Sequence, residues 1–158
     1  MIEHIADEVM QKIAQSVGLY HRLIVLVAPA GAGKTAALQE VHKRTSAPLV
    51  NVNLELSRRM LDLTERQRAL KVPRLLSEVV DTPVSDVVLL DNIEVLFCAP
   101  LMIDPLRLLQ GISRNKAVVV AWSGSIEDHQ LVYAIPDHAE YKRYPLLDFL
   151  VVNQEAIA

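Results

Sequence analysis

The sequence predicts an α/β fold in which a mostly parallel five-stranded sheet is covered by helices on both faces. Apolar segments of strand length alternate along the chain with amphipathic segments of helix length. The strand-like segments are near-continuous β-branched runs, as in strands buried on both faces. The first of them leads through a loop of small residues into a helix start. At 158 residues the chain is long enough for one well-formed core, so it reads as a single domain over 1–158. An N-terminal helix at 1–18 precedes a core at 22–152.

Each element has its own signal. Ile2, Ile5, Val9, Ile13 and Val17 recur at spacings of three and four, predicting a helix that ends near Gly18. "RLIVLVA" (22–28) is the first buried strand, and "TAALQEVHKRT" (35–45) the helix after the loop. "PLVNVNLEL" (48–56) reads as a second strand. "TERQRALKVPRLLSEVVD" (64–81) predicts a helix opened by a capping box of Thr64 and Gln67, with Pro73 kinking or splitting it. "SDVVLLDNI" (85–93) is a third strand ending in an acid. In "DPLRLLQGIS" (104–113), Asp104 is the N-cap and Pro105 lies in the first turn of a helix. "KAVVVAWSG" (116–124) is a fourth strand and "YPLLDFLVV" (144–152) a fifth. The stretch between them reads as irregular, with a short strand at "LVYA".

Composition narrows the class. Hydrophobic content is 51% and charged residues 22%, with no biased tract, which is the profile of an ordered globular domain. The net charge of −3 gives no global reason to expect nucleic acid. Cys98 is the sole cysteine, which excludes an intrachain disulfide and a cysteine-cluster metal site. The N-terminus carries Glu3, Asp7 and Glu8 and does not read as a signal peptide, and no apolar run reaches membrane-spanning length. The expectation is a cytoplasmic protein with no membrane role.

The loop in "VLVAPAGAGKTAAL" points to chemistry. The phosphate-loop pattern is G-x-x-x-x-G-K-[ST]. Ala28 holds its first glycine position, while Gly33, Lys34 and Thr35 fit. A turn between strand and helix aims backbone N–H groups and the positive end of the helix dipole at one point. Pro29, Ala30, Gly31, Ala32, Gly33, Lys34, Thr35 and Ala36 would cradle the phosphates of a nucleotide. Lys34 would reach the terminal phosphates, and the Thr35 hydroxyl would ligate magnesium. In phosphate-loop proteins an acid at the end of another buried strand shares that metal, and "VVLLD" supplies Asp91. Each feature has a plainer reading, a small-residue turn and an ordinary charged strand end; together they make ATP with magnesium the expected ligand and a three-layer P-loop NTPase sandwich the expected fold.

"APAGAGKT" followed by "LLDNIEVLF" resembles the AAA+ and related ATPases. That resemblance implies a further strand between the loop strand and the Asp strand, with a polar sensor at its tip. "VVVAWSG" takes that place, making Ser123 the sensor candidate, although a serine at a strand end is as ordinary. "NVNLELSRR", "DPLRLLQGISRN", "AWSGSIED" and "YAIPDHAEY" extend the resemblance, over nearly the whole chain, to the BrxF family of small P-loop proteins in type 3 BREX phage-defence systems. It implies a subunit or regulator that works with other BREX proteins and in a homo-oligomer.

The departures from the AAA+ pattern bear on activity. There the general base directly follows the Asp, but position 92 is Asn, which can orient a water and cannot take its proton. Glu94 is a substitute or a helix-start acid; Glu55, near the end of the second strand, is another candidate, with Asn53 able to gate such an acid. Only "NQEAIA" follows the fifth strand, leaving an AAA+-like core without the helical lid domain. Closure then needs a neighbour, and Arg107, Arg114 and Arg143 either reach into a neighbour's site or are solvated. Between Ser57 and Leu75, Arg58, Arg59, Arg66, Arg68, Lys71 and Arg74 face Asp62 and Glu65, six positive charges against two. That segment, 57–75, suits DNA phosphates, a subunit interface or solvent. His129 and His138 have no ligand spacing. Tyr20 and Tyr133 either stack on adenine or fill a sheet edge. Three functions fit: a weak magnesium-dependent ATPase, a non-hydrolysing nucleotide-gated scaffold, and a small-molecule kinase, which the missing arginine-rich lid disfavours.

Overall fold

Six consecutive apolar residues form β1 (Leu23–Ala28), and all six are buried. They show water no polar face because β1 lies inside the sheet, hydrogen-bonded to β4 (Ala117–Glu127) on one side and β7 (Leu150–Asn153) on the other. With β2 (Leu49–Asn51) and β3 (Val87–Asp91) the parallel order is β2-β3-β4-β1-β7. The computed structural model describes residues 2–98, 103–133, 142–146 and 148–153.

Alternate residues of each strand point to opposite faces, and each face has its own helical cover. On one, Ile5 and Val9 of α1 (Ile2–Ser16) and Leu38 and Val41 of α2 (Lys34–Thr45) bury against Ile24, Leu26 and Val119. On the other, α3 (Val52–Arg59), α4 (Glu65–Asp81) and α5 (Pro105–Ile112) bring Leu56, Val72, Leu76 and Leu109 onto Leu23, Val25 and Val120. The result is the expected α/β arrangement of a mostly parallel sheet between two helical layers.

Local signals hold where they were strongest. The Thr64–Gln67 capping box is present in full, with both reciprocal bonds made. Asp104 caps α5 by accepting a bond from the Arg107 amide. The long helix runs through Pro73 without splitting, giving up at least the intrahelical bond that the proline N–H cannot make. Beyond its end the buried Lys116 ammonium donates to the Val80 and Pro83 carbonyls, at 2.8 and 3.2 Å, where the helix dipole favours a cation.

Three expectations need correction. The 48–56 segment is not one strand: β2 stops at Asn51, whose side chain accepts a bond from the Leu54 amide and starts α3. The apolar spacing fits either state over so few residues, and the cap decides it. The 144–152 segment is likewise divided between β6 (Lys142–Pro145) and β7. Among the described residues the sheet has seven strands, because β4 runs past the end of β1 into an antiparallel hairpin with β5 (Gln130–Tyr133), which pairs with β6. Asp128 and His129 turn that hairpin with positive φ at both positions, the backbone a tight two-residue loop needs.

Candidate functional site

The carboxyl edge of the parallel strands gathers most of the chemistry. β4 lies between β1 and β3, and its Ser123 is in register with Ala28 at the end of β1. Asp91 closes β3, with Asn51 of β2 beside it. Thus Ser123 stands between the glycine loop and the acid. A pocket of about 490 Å³ opens here, lined by Gly31, Gly33, Lys34, Thr35, Asp91, Asn92, Glu94 and Ser123 among others.

The loop takes its shape from two glycines. Gly31 and Gly33 have φ of 80° and 95°, left-handed values that side chains with a Cβ adopt only with strain. Gly33 is the N-cap of α2, so that helix starts at Lys34 with its amino end at the pocket. Ala28 remains in regular strand, which is why its methyl group is tolerated at the first position of the loop pattern. The Lys34 side chain is buried and its ammonium donates to the Ala28 and Pro29 carbonyls at 3.1 and 2.9 Å. Burial lowers its pKa, and the negative charges of Glu94 and Asp91 oppose that shift.

Thr35 and Asp91 meet directly. The Thr35 hydroxyl donates to one Asp91 carboxylate oxygen at 2.7 Å, and the other oxygen accepts the Asn92 amide at 2.9 Å. A hydroxyl and a carboxylate sharing one face are hard oxygen ligands of the kind that hold magnesium beside phosphates. The donor set therefore fits an ATP–magnesium ligand. Among the described residues no group of three His, Cys, Asp or Glu could hold a metal alone, so His129 has no such partners; His138 lies outside the described residues.

Glu94 belongs to this site. It opens a single 3-10 turn, Glu94–Phe97, directly after β3, and the Ser123 hydroxyl donates to its carboxylate at 3.4 Å. Glu55 does not: it sits on α3, not on a strand, and pairs with Arg58 and Arg59 at 3.7 and 3.9 Å. Asn53, on the same helix, lines an adjoining pocket together with Asn92 and Glu94, and its amide donates to the Asn92 carbonyl. Gln39 also lines the site and escaped the sequence reading. Its signal was present, since four residues after Thr35 is the same helix face.

Asn92 has φ of 54°, in the left-handed region where Asn is among the best-tolerated side chains. The residue after Asp91 is therefore a backbone turn as much as a functional group. Asn92→Glu is expected to lower stability by about 1 kcal/mol without creating a working base, while Asn92→Gly stays close to wild type. Urea melts of the two variants check this; equal stability of the Glu variant would show that the turn relaxes.

The remaining candidates lie away from the pocket. Arg114 follows α5 and stacks over the Tyr20 ring at 4.6 Å, next to the amino ends of β1 and β4, so Tyr20 is remote from the glycine loop. The Arg143 guanidinium donates to the Gln130 side chain across the hairpin, and Arg107 is exposed on α5. Tyr133 is buried and stacks on Phe97, so it fills the hairpin base. No described helix is long and apolar enough to cross a membrane.

No protein-family model and no curated protein matches the chain. Among solved structures, one of C. elegans PCH-2 is similar over 77% of this chain and 35% of that one, at 17% identity and a TM-score of 0.33. The chain spans about a third of the length of that structure.

Proposed function

We propose that this chain binds ATP with magnesium at the glycine loop and is an AAA+-like regulator or subunit of a BREX phage-defence complex, with weak magnesium-dependent ATPase activity. The observation that carries the nucleotide reading is the convergence of Lys34, the Thr35 hydroxyl and the Asp91 carboxylate in one pocket at the start of α2. The defence role is supported by the sequence resemblance to the BrxF family. In this reading Gly31 and Gly33 let the loop amides approach the phosphates, and the Lys34 ammonium offsets charge on the terminal one. Thr35 and Asp91 would hold magnesium, which supplies a further positive charge shared by the phosphate oxygens. Glu94 accepts the proton of the attacking water as its oxygen bonds to the terminal phosphorus and the bond to the leaving ADP breaks. Ser123 holds Glu94 for that task.

A non-hydrolysing scaffold is the second reading, favoured by Asn92 in the usual base position and by the exposure of Glu94, whose Ser123 contact is long. Single-turnover measurements with radiolabelled ATP separate the two. Glu94→Gln should cut the hydrolysis rate by about 10²–10⁴ with ATP affinity nearly intact. Asp91→Ala should weaken magnesium-dependent ATP binding at least about tenfold and leave metal-free binding unchanged. Absence of any hydrolysis in the wild type, alone or with DNA and partner proteins, selects the scaffold. Equal losses with and without metal in the Asp91 variant would remove it from the metal site.

A further inference from the structure

The outer side of α4 carries a feature that neither nucleotide binding nor the core requires. Val72, Leu76, Val79 and Val80 are buried on its inner side. Opposite them, Arg66, Leu70 and Arg74 follow one another at intervals of four residues, all exposed, with Lys71 alongside. Leu70 is 74% exposed, and Leu61, in the turn between α3 and α4, is 72% exposed. Two leucines so open to water, among cations whose aliphatic stems extend the apolar area, form a surface with much to gain from burial.

Charge says what covers it. Residues 57–75 hold six positive and two negative side chains, a net of +4, in a chain whose total is −3. Glu55 pairs with Arg58 and Arg59, and Glu78 with Arg74, so the stretch 55–78 carries a net +2 against −5 for the rest of the chain, with Arg66 and Lys71 the exposed cations beside Leu70. Nucleic acid would reward the cations alone, and the segment has no aromatic residue to stack on bases. The exposed leucines add nothing to phosphate binding. Arginines around apolar anchors are instead the composition of a protein interface.

We propose that the α4 ridge, with Leu61 at its approach, docks an acidic protein partner that inserts Leu70 into an apolar groove while its carboxylates meet Arg66 and Lys71. The complementary probe is a labelled synthetic amphipathic helix with a leucine stripe bordered by glutamates. Fluorescence anisotropy should show saturable binding by the full chain. Leu70→Ser should weaken it about tenfold, the loss expected when one leucine side chain is no longer buried. The double variant Arg66→Glu, Lys71→Glu should weaken it further, and both variants should melt where the wild type does. A probe with its leucines changed to serine should bind at least about tenfold less well. The proposal is overturned if the leucine-free probe binds equally, if a short DNA duplex binds more tightly than the peptide, or if the chain captures the ridge with a second copy of itself, seen as a mass increase that Leu70→Ser abolishes. Absence of peptide binding, or binding that the ridge variants leave unchanged, overturns it as well.

Discussion

If the glycine loop holds ATP with magnesium as proposed, that ligand should raise the melting temperature of the wild-type chain, and replacing Lys34 with alanine is expected to erase the rise. A ligand that binds only the folded state stabilises it by RT ln(1 + [L]/Kd), about 2.7 kcal/mol at a hundredfold excess over Kd. For a domain of this size that corresponds to a shift of roughly 5–11 °C. Lys34 carries much of this because its ammonium is buried at the base of the pocket, where charge–charge attraction is less screened than in water. The variant also loses the bonds to the Ala28 and Pro29 carbonyls, so each protein must be compared with its own nucleotide-free melt. Calorimetry with and without ATP and magnesium makes the comparison. A shift as large as that of the wild type would place the nucleotide elsewhere and end the assignment.

The largest expected effect on the fold itself comes from Gly124→Ala. Gly124 lies one residue after Ser123, where β4 leaves the parallel sheet and pairs with Tyr133 of β5. An added Cβ would sit 1.8 Å from the Val132 carbonyl oxygen and 3.1 Å from the Trp122 indole nitrogen. The indole N–H donates to that same carbonyl at 3.1 Å, so the methyl group would be driven into a hydrogen bond that is itself buried. The obstacle is backbone on the neighbouring strand and cannot rotate aside as a side chain would. Overpacking costs about 1–3 kcal/mol, and an orphaned indole adds about 1–3 kcal/mol. A total of about 3 kcal/mol or more should lower the urea midpoint with the slope unchanged. A loss below about 1 kcal/mol would mean that the hairpin can shift at little cost.

The parts of this molecule that could be read in advance are those encoded within a few residues. The Thr64–Gln67 box, the Asp104 cap and the buried run of β1 are each complete local statements. So is the glycine loop with Lys34 and Thr35. In the 48–56 segment the apolar residues alternate as in a strand, while Asn51, the acid at Glu55 and the cations at Arg58 and Arg59 are the cap and dipole signals of a short helix. The hairpin turn at Asp128 and His129 lacks the glycine that usually marks such turns. Glu94 is legible locally only as an acid three positions past Asp91, open to a bland reading. Its contact with Ser123 depends on β4 lying beside β3, a pairing of residues about 30 apart in sequence. Glu55 shows the converse: an acid given weight by an expected strand end stands on a helix surface, held by two arginines.

Trp122, the chain's single tryptophan, is fully buried, with Phe97, Tyr133 and Tyr144 edge-on to its ring at 5.1, 5.9 and 5.7 Å. Its neighbour in the chain is Ser123, and Phe97 ends the 3-10 turn that Glu94 begins. The indole is thus an optical label already built into the core, one residue along the chain from Ser123 of the pocket. Its emission should be blue-shifted for want of water and fed by energy transfer from the adjoining tyrosines. Any movement of Ser123 or of the 3-10 turn would alter the ring's surroundings, so the proposed nucleotide binding can be tested by intrinsic fluorescence without attaching a dye.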